Sequence, residues 1–313
     1  MKISKMFLYK THTEDDLKKI ILYLFRNSEL SDTTKNQYAV KIPQWLSYIS
    51  TPRNINNLLE HPDESIDALV SSSKIKHSPS NHHMYISSAV GFIKCIIKND
   101  VLLKRWKDYE RTNWEPLADR YAENIPSELQ KNKAAVPFDE INKMRISLEK
   151  GSLERLLIAF YTLIEPIRAD YYATEILTDE LQEATEENYI ILTAQKASLV
   201  VQNFKTSKRY EKIENTLSEE LIAELRASLE LMPRKYLFVT DDKTTPYTRK
   251  LFSNWACRAL TRVLKQPMTL TALRHIYITK KIQDKTPTKE LKEIAKKMGH
   301  SRDSQRIYEW QAT

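Results

Sequence analysis

The sequence predicts a mainly α-helical fold of two domains with one small antiparallel β-sheet. Only three of the 313 residues are glycine, and long stretches are rich in Leu, Ile, Lys and Glu, which favour helices. β-branched and aromatic residues are concentrated in one region, 188–218, which is typical of strands. A chain of this length exceeds the usual size of one compact core, so we expect about two domains.

The N-terminal domain, 1–128, is predicted to be helical. Apolar residues recur at helical spacing in four segments, and Ser or Thr side chains that can cap a helix precede the second and third of them. We expect Pro43 to kink or split the second helix. The four predicted helices span 14–28, 31–49, 78–97 and 101–109.

A polar stretch flanked by proline, 129–137, is predicted to be the interdomain linker, and 138–313 form the second domain. Three stretches of high β propensity predict the small sheet, at 189–193, 198–204 and 210–215. Helical periodicity predicts six helices, at 138–149, 153–164, 219–231, 248–264, 271–282 and 286–298.

Composition argues against several classes of site. The chain has no glycine-rich phosphate-binding motif. Cys95 and Cys257 lie far apart, which gives no zinc-ligand spacing and indicates a reducing compartment. No apolar run approaches the ~20 residues that cross a membrane. We therefore expect an intracellular protein with no metal, no small-molecule cofactor and no membrane segment.

The balance of basic and acidic residues indicates which kind of partner the protein binds. Lys and Arg number 49 against 41 for Asp and Glu, which gives a net charge of +8. An excess of this sign favours a polyanion such as nucleic acid. A genome whose base composition favours lysine codons gives the same excess, so charge alone leaves both explanations open.

The most informative pattern lies near the C-terminus. Apolar residues at i, i+3, i+4 and i+7 between Leu291 and Met298 predict one buried helix face. The Thr-Pro pair at 286–287 predicts a capped start, and Gly299 predicts a left-handed end. His300 should therefore be held at the helix end, outside the buried stripe.

A second short helix is predicted just beyond this end, capped by Ser304 and carrying Tyr308. The two capped helices bring His300 and Tyr308 to neighbouring positions. Alone, such a pair is more often structural than catalytic, so other residues must decide between the two.

Together with a motif at 273–275, Leu-Arg-His, these residues resemble the tyrosine recombinase, or phage-type integrase, family. The segment Met-Gly-His-Ser at 298–301 and Tyr308 carry the C-terminal part of the resemblance. Arg274 corresponds to the second arginine of the family.

Two upstream segments extend the resemblance. Residues 165–170, Glu-Pro-Ile-Arg-Ala-Asp, resemble the element that carries the first arginine of the family, and 204–208, Phe-Lys-Thr-Ser-Lys, resemble its lysine hairpin. The resemblance covers roughly 138–308. The family order of catalytic residues is matched by Arg168, Lys205, Arg274, His300 and Tyr308.

The resemblance implies a helical DNA-clamping domain followed by an α+β catalytic domain of tyrosine-recombinase type. It implies site-specific recombination or integration of mobile or viral double-stranded DNA, with a homotetramer acting on two DNA sites and no cofactor. The protein would then act wherever its target DNA lies, in the cytoplasm of a prokaryote or in the nucleus or virus factory of a eukaryotic host.

Phosphodiester chemistry explains why these residue types fit. Arg168 and Arg274 can bind the non-bridging oxygens without losing charge, and His300 adds a donor. Tyr308 would attack phosphorus while Lys205 protonates the leaving 5′ oxygen. Because the phosphotyrosine conserves the energy of the broken bond, rejoining needs neither ATP nor metal.

One position departs from the family pattern. Thr271 stands three residues before Arg274, where the family usually has histidine, so general-base help there is in doubt. His275 is adjacent to Arg274 but lies about 100° away around a helix, which leaves it a supporting role. Lys208 is a second lysine in the hairpin and could contact phosphate.

Two other functions stay open at this stage. A type IB topoisomerase-like relaxase uses similar chemistry without two defined sites, and the threonine at 271 allows a DNA-binding protein that has lost catalysis. A metal site at His82 and His83 is disfavoured, because adjacent residues on a helix point in different directions.

Overall fold

The computed structural model describes residues 13–49, 54–74, 78–122, 136–179, 181–210, 212–301 and 305. The chain divides into two compact units, Met1–Arg120 and Tyr121–Thr313. The predicted linker, 129–137, falls outside the described residues except for its last two, so its bounds stay a prediction.

The first unit is built from helices. They are α1 (Glu14–Phe25), α2 (Asp32–Leu46), α3 (Ile55–Glu60), α4 (Pro62–Ser71), α5 (Pro79–Phe92), which continues into a π-helical turn (Ile93–Ile97), and α6 (Asp100–Ala122). Side-chain caps begin helices at Thr13, Ser31, Asn54 and Ser78. Helix α2 runs unbroken through Pro43, so the expected split is wrong. Pro43 is buried between Ile42 and Trp45, and this packing outweighs the lost hydrogen bond.

Two buried tryptophans organise the core of this unit. Trp45 and Trp106 meet edge to face with ring centroids 5.5 Å apart. The indole N–H of Trp45 donates to the Ser65 carbonyl and that of Trp106 to the Leu59 carbonyl, both at 2.8 Å. These bonds hold α3 and α4, two helices of six and ten residues that are too short to show a clear sequence period.

The second unit combines helices with one sheet. In chain order its elements are α7 (Phe138–Ser147), α8 (Leu153–Thr162), β1 (Glu175–Leu177), β2 (Asn188–Leu192), β3 (Ala197–Val201), α9 (Ser207–Tyr210), β4 (Ile213–Thr216), α10 (Glu219–Leu231), α11 (Arg249–Leu264), α12 (Leu270–Gln283) and α13 (Thr288–Lys297). The predicted fold class, mainly helical with a small sheet, is confirmed.

The sheet has the strand order β1-β2-β3-β4. The β2–β3 and β3–β4 pairs are antiparallel as predicted, whereas β1 pairs in parallel with β2 and makes the sheet mixed. Strand β1 has three residues and no alternation, because all three are buried, which is why its sequence gave no strand signal.

Helix α8 lies at the centre of the second unit. Its residues from Leu156 to Thr162 are all buried, and it contacts α7, α10, α11 and α12. A helix that is apolar on every side must be covered by other elements on every side. None of the described helices combines the length and apolar character required to cross a membrane.

Candidate active site

Arg274 lies in the first half of α12 and joins three parts of the second unit. Thr269 caps this helix by accepting a hydrogen bond from the Ala272 N–H. The Arg274 side chain is 1% exposed, and its Nε donates to the Pro166 carbonyl at 3.0 Å. Its Nη2 lies 3.2 Å from the Met298 carbonyl. The planar guanidinium therefore fixes the positions of segments that are distant in sequence.

His300 is held by the end of α13. Gly299 adopts φ +71°, the His300 N–H donates to the Ala295 carbonyl, and the Gly299 N–H donates to the Lys296 carbonyl, both at 3.0 Å. This pair of bonds is a Schellman motif, so the predicted glycine stop is confirmed. His300 itself is 3% exposed and lies beyond the apolar stripe of α13. It is buried against Arg274.

The start of α13 differs from the sequence prediction. The helix begins at Thr288, and Pro287 occupies the cap position without a side-chain hydrogen bond. The expected cap at Thr286 is therefore wrong. The proline ring restricts φ at the cap position, where φ is −57°, and no side chain accepts from the first N–H groups of the helix.

The protonation state of His300 follows from its surroundings. Burial lowers its pKa to about 3, and the positive charges of Arg274 and Arg168 and the nearby His275 act in the same direction. Its Nδ1 lies 3.0 Å from Arg274 Nη2, which can only donate. We therefore assign the neutral ring with its proton on Nε2, a fixed donor.

Arg168 lies half-buried in the segment that follows α8. The Tyr161 hydroxyl donates to the Arg168 carbonyl at 2.8 Å and so fixes the backbone there. Two residues on, the carboxyl of Asp170 is buried and forms an ion pair of 2.5 Å with Arg249. Burial raises the pKa of Asp170, while the charges of Arg249, Arg168 and Arg274 oppose that change. Three guanidiniums therefore act on one carboxyl group.

Sequence reasoning missed Arg249. Its side chain is 44% exposed, and it is the first residue of α11, directly after the Thr248 cap. Only the three-dimensional contact with Asp170 places it beside Arg168 and Arg274, because it lies 79 positions beyond Asp170 in the chain. No sequence motif marked it.

Lys205 lies exposed in the turn that follows β3. Strand β3 ends at Val201 and β4 begins at Ile213, so both strands are shorter than predicted and the connection contains α9. The Thr206 hydroxyl donates to the Gly299 carbonyl at 2.7 Å. This bond brings the turn that carries Lys205 against the turn that carries His300.

The structure describes only some of the remaining residues of the predicted site. Thr271 is exposed on the first turn of α12, and His275 is 5% exposed and close enough to affect His300. The side chain of Lys208 and all of Tyr308 lie outside the described residues. Nearby, Gln305 is buried and its N–H donates to the Ser301 carbonyl at 2.9 Å.

Two acidic residues elsewhere in the chain have structural roles. Asp16 forms a capping box with Thr13. Glu175 accepts hydrogen bonds from the Thr185 and Glu186 N–H groups and pairs with Lys235. Within the described parts of the chain, no three His, Cys, Asp or Glu side chains converge on a position that could hold a metal ion.

Known proteins were compared with the chain at the level of sequence and of structure. Neither a protein-family model nor a curated protein sequence matches it. Solved structures do match. XerA recombinase is 15% identical, with a TM-score of 0.42, over 96% of this chain and 95% of that chain.

Two further matches were solved with DNA. A protelomerase, tela, covalently complexed with substrate DNA, is 12% identical with a TM-score of 0.46, over 96% of this chain and 95% of that chain. The Tn1549 transposon integrase, in complex with circular intermediate DNA, is 13% identical with a TM-score of 0.43, over 95% of this chain and 96% of that chain.

Proposed function

We propose that the protein is a site-specific DNA recombinase or integrase that cleaves and rejoins double-stranded DNA through a 3′-phosphotyrosine. The observation that carries the proposal is the buried contact between Arg274 and neutral His300, flanked by Arg168 and by the turn of Lys205. These side chains come from segments that the fold brings together. Each matches a position of the family motif.

The cationic side chains suit a phosphodiester. Attack on phosphorus adds negative charge to the non-bridging oxygens, and Arg168 and Arg274 supply guanidiniums that keep their charge. Because its pKa is lowered to about 3, the His300 ring is neutral near neutral pH. The neutral ring keeps one proton, on Nε2, and so supplies a hydrogen-bond donor. Donors fixed before the reaction are commonly worth ~3–4 kcal/mol each.

The proposed chemical step exchanges one bond for another. The Tyr308 oxygen forms a bond to phosphorus and its proton passes to solvent, while the bond from phosphorus to the 5′ oxygen breaks. The ammonium of Lys205 gives a proton to that leaving oxygen. The reverse sequence rejoins DNA. The step conserves the phosphodiester energy in the phosphotyrosine, so neither ATP nor a metal takes part.

The proposed partners follow from the same chemistry. Double-stranded DNA is the substrate, and recombination between two sites requires four cleaving subunits, which we propose to be a homotetramer. The net charge of +8 supports a polyanionic partner. The source of the DNA is proposed to be a mobile or viral element.

The deciding experiment traps the covalent intermediate. A duplex that carries the junction of the parent element, nicked near the cleavage site, is incubated with the protein and resolved on a denaturing gel. We expect a protein–DNA adduct that Tyr308→Phe abolishes while DNA binding persists. Tyr23→Phe, which changes an exposed tyrosine of α1, is the matched control and should leave the adduct intact.

Other outcomes identify the competing functions. Trapping that survives Tyr308→Phe rules out that nucleophile. Relaxation of supercoiled plasmid without recombination between two sites indicates the type IB relaxase. Binding without any adduct indicates the inactive DNA-binding protein.

A further inference from the structure

The side chain of Thr206 joins the turn that carries Lys205 to the turn that carries His300 by a hydrogen bond. The Thr206 hydroxyl donates a hydrogen bond of 2.7 Å to the carbonyl of Gly299, 93 residues along the chain. Thr206 directly follows Lys205, and Gly299 directly precedes His300. The bond is therefore one residue from each of two proposed catalytic side chains.

Apolar contacts bring the same two turns together. A Cβ placed on Gly299 would lie 3.2 Å from the rings of Phe204 and 3.2 Å from the Ile213 side chain, which is tighter than ordinary packing. Phe204 is 5% exposed and precedes Lys205. Position 299 therefore has no room for a side chain, so the two turns approach closely there, and the hydroxyl of Thr206 adds a directional bond between them.

The backbone of Thr206 also anchors the following helix. Its carbonyl accepts hydrogen bonds from the Arg209 and Tyr210 N–H groups, at 2.9 and 3.2 Å. A residue that precedes a helix commonly uses its side chain as a cap. Here the Thr206 hydroxyl proton points instead to another segment, Gly299, so the side chain serves the contact between turns.

Lys205 needs this support because its own side chain is exposed and flexible. An exposed ammonium on a four-carbon chain samples many positions, so proton delivery depends on where the backbone holds the residue. Arg274 and His300 are buried and joined, so they define a fixed frame. The Thr206 bond ties the lysine turn to that frame.

We propose that Thr206 is a positioning residue for Lys205: its hydroxyl holds the lysine at the leaving 5′ oxygen of the phosphate bound by Arg274 and His300. This inference rests on the proposed function. The step that depends on Thr206 is protonation of the leaving oxygen, since Lys205, the residue directly before Thr206, is the proposed donor of that proton.

The test uses a substrate that needs no protonation. Thr206→Val removes the hydroxyl and keeps the shape, and we expect it to slow cleavage of the normal junction duplex by about tenfold to a hundredfold, as a small misplacement would. A duplex with sulfur in place of the bridging 5′ oxygen should restore the rate, because a thiolate leaves without a proton. Lys205→Ala should be rescued in the same way.

Matched variants separate this role from a general loss of structure. Thr206→Ser keeps the hydroxyl and should cleave the normal duplex at close to the wild-type rate. Thr193→Val removes a comparable bond, from a threonine hydroxyl to the Lys196 carbonyl, in the turn between β2 and β3 and should leave cleavage unchanged. If Thr206→Val does not fold, Thr206→Ala provides the same comparison with a smaller side chain.

Two results overturn the inference while leaving the proposed function intact. The first is a Thr206→Val enzyme that is slow on both duplexes, which would place the effect on His300 or phosphate binding. The second is a Thr206→Val enzyme that cleaves normally. Failure of the proposed function is distinguishable, because the wild-type protein would then form no adduct with either duplex.

Discussion

His300 shows at the residue scale how burial changes the chemistry of one side chain. Exposed histidine gains its charge within the physiological range, whereas His300 remains neutral because charging it would require a buried ion beside Arg274. In the proposed mechanism its role is then that of a fixed hydrogen-bond donor. A histidine that changed protonation during the reaction would need a pKa near 7.

The lowered pKa makes stability depend on pH. The unfolded chain binds a proton on His300 below 6.5 and the folded chain only below about 3, so this residue stabilises the fold above 6.5 and loses that contribution as pH falls towards 3. We expect wild type to lose about 2 kcal/mol more than His300→Asn between pH 7 and pH 5. Urea unfolding at the two pH values measures this difference in the free energy of unfolding. His61→Asn, which changes an exposed histidine, is the control. Equal losses in wild type and His300→Asn would contradict the assignment.

Thr271 belongs to the same scale, because it is the one position where the family pattern fails. It is exposed on the first turn of α12, and its hydroxyl can donate or accept a hydrogen bond but cannot act as a base near neutral pH. We expect Thr271→His to raise the cleavage rate or leave it within about tenfold, a change of roughly 1.4 kcal/mol in the barrier.

Two further variants complete that measurement. Thr271→Val should slow adduct formation by a similar modest factor, whereas Thr288→Val, at an exposed position of α13, should not change it. A wild-type protein that forms no adduct until Thr271 is replaced by histidine would favour the inactive DNA-binding protein.

At the scale of elements, buried ion pairs join the helices that support the site. Arg145 of α7 is 1% exposed and lies 2.5 Å from Glu224 and from Glu220, both of α10. Arg155 of α8 contacts the other oxygen of Glu224 at 2.8 Å. One carboxylate therefore holds two helices against a third, in a site with little access to water.

Removing that carboxylate should be costly. Glu224→Gln leaves Arg145 buried with one of its two partners neutral, and we expect the free energy of unfolding to fall by about 3–5 kcal/mol. Glu140→Gln is the matched control, because it breaks the exposed pair with Lys143 on α7 and should have a far smaller effect. Denaturant titration of both variants makes the comparison, and equal losses would show that the buried network contributes no more than a surface pair.

The same scale explains which elements could be predicted. Helices α1 and α10, which have a clear apolar face, begin where the sequence places them and end at or within three residues of the predicted position. Helices α3 and α4 and strand β1 were missed. Helix α3 and strand β1 have six and three residues, which hold less than two helical turns or about one alternation. These short elements are stabilised by packing against neighbouring elements and not by a pattern in their own sequence.

At the scale of the whole molecule, the net charge of +8 determines how strongly the proposed binding of DNA should depend on salt concentration. Each phosphate contact should add ~0.9 to the slope of log affinity against log salt concentration. We expect a slope of several units for the wild-type protein, measured by fluorescence anisotropy. Lys205→Gln should lower it by ~0.9, if the lysine reaches the backbone. A slope near zero would indicate a protein partner in place of DNA.

The sequence alone determined the helical character, the end of α13 at Gly299 and the order of the motif residues, because these depend on local propensity and on spacing along the chain. The tertiary structure decided what those residues can do. The contact of Arg274 with His300 spans 26 residues and that of Thr206 with Gly299 spans 93. Burial, the lowered pKa and the tethered lysine turn all arise from such long-range packing, and no local pattern encodes the distance between two segments that meet only in the folded chain.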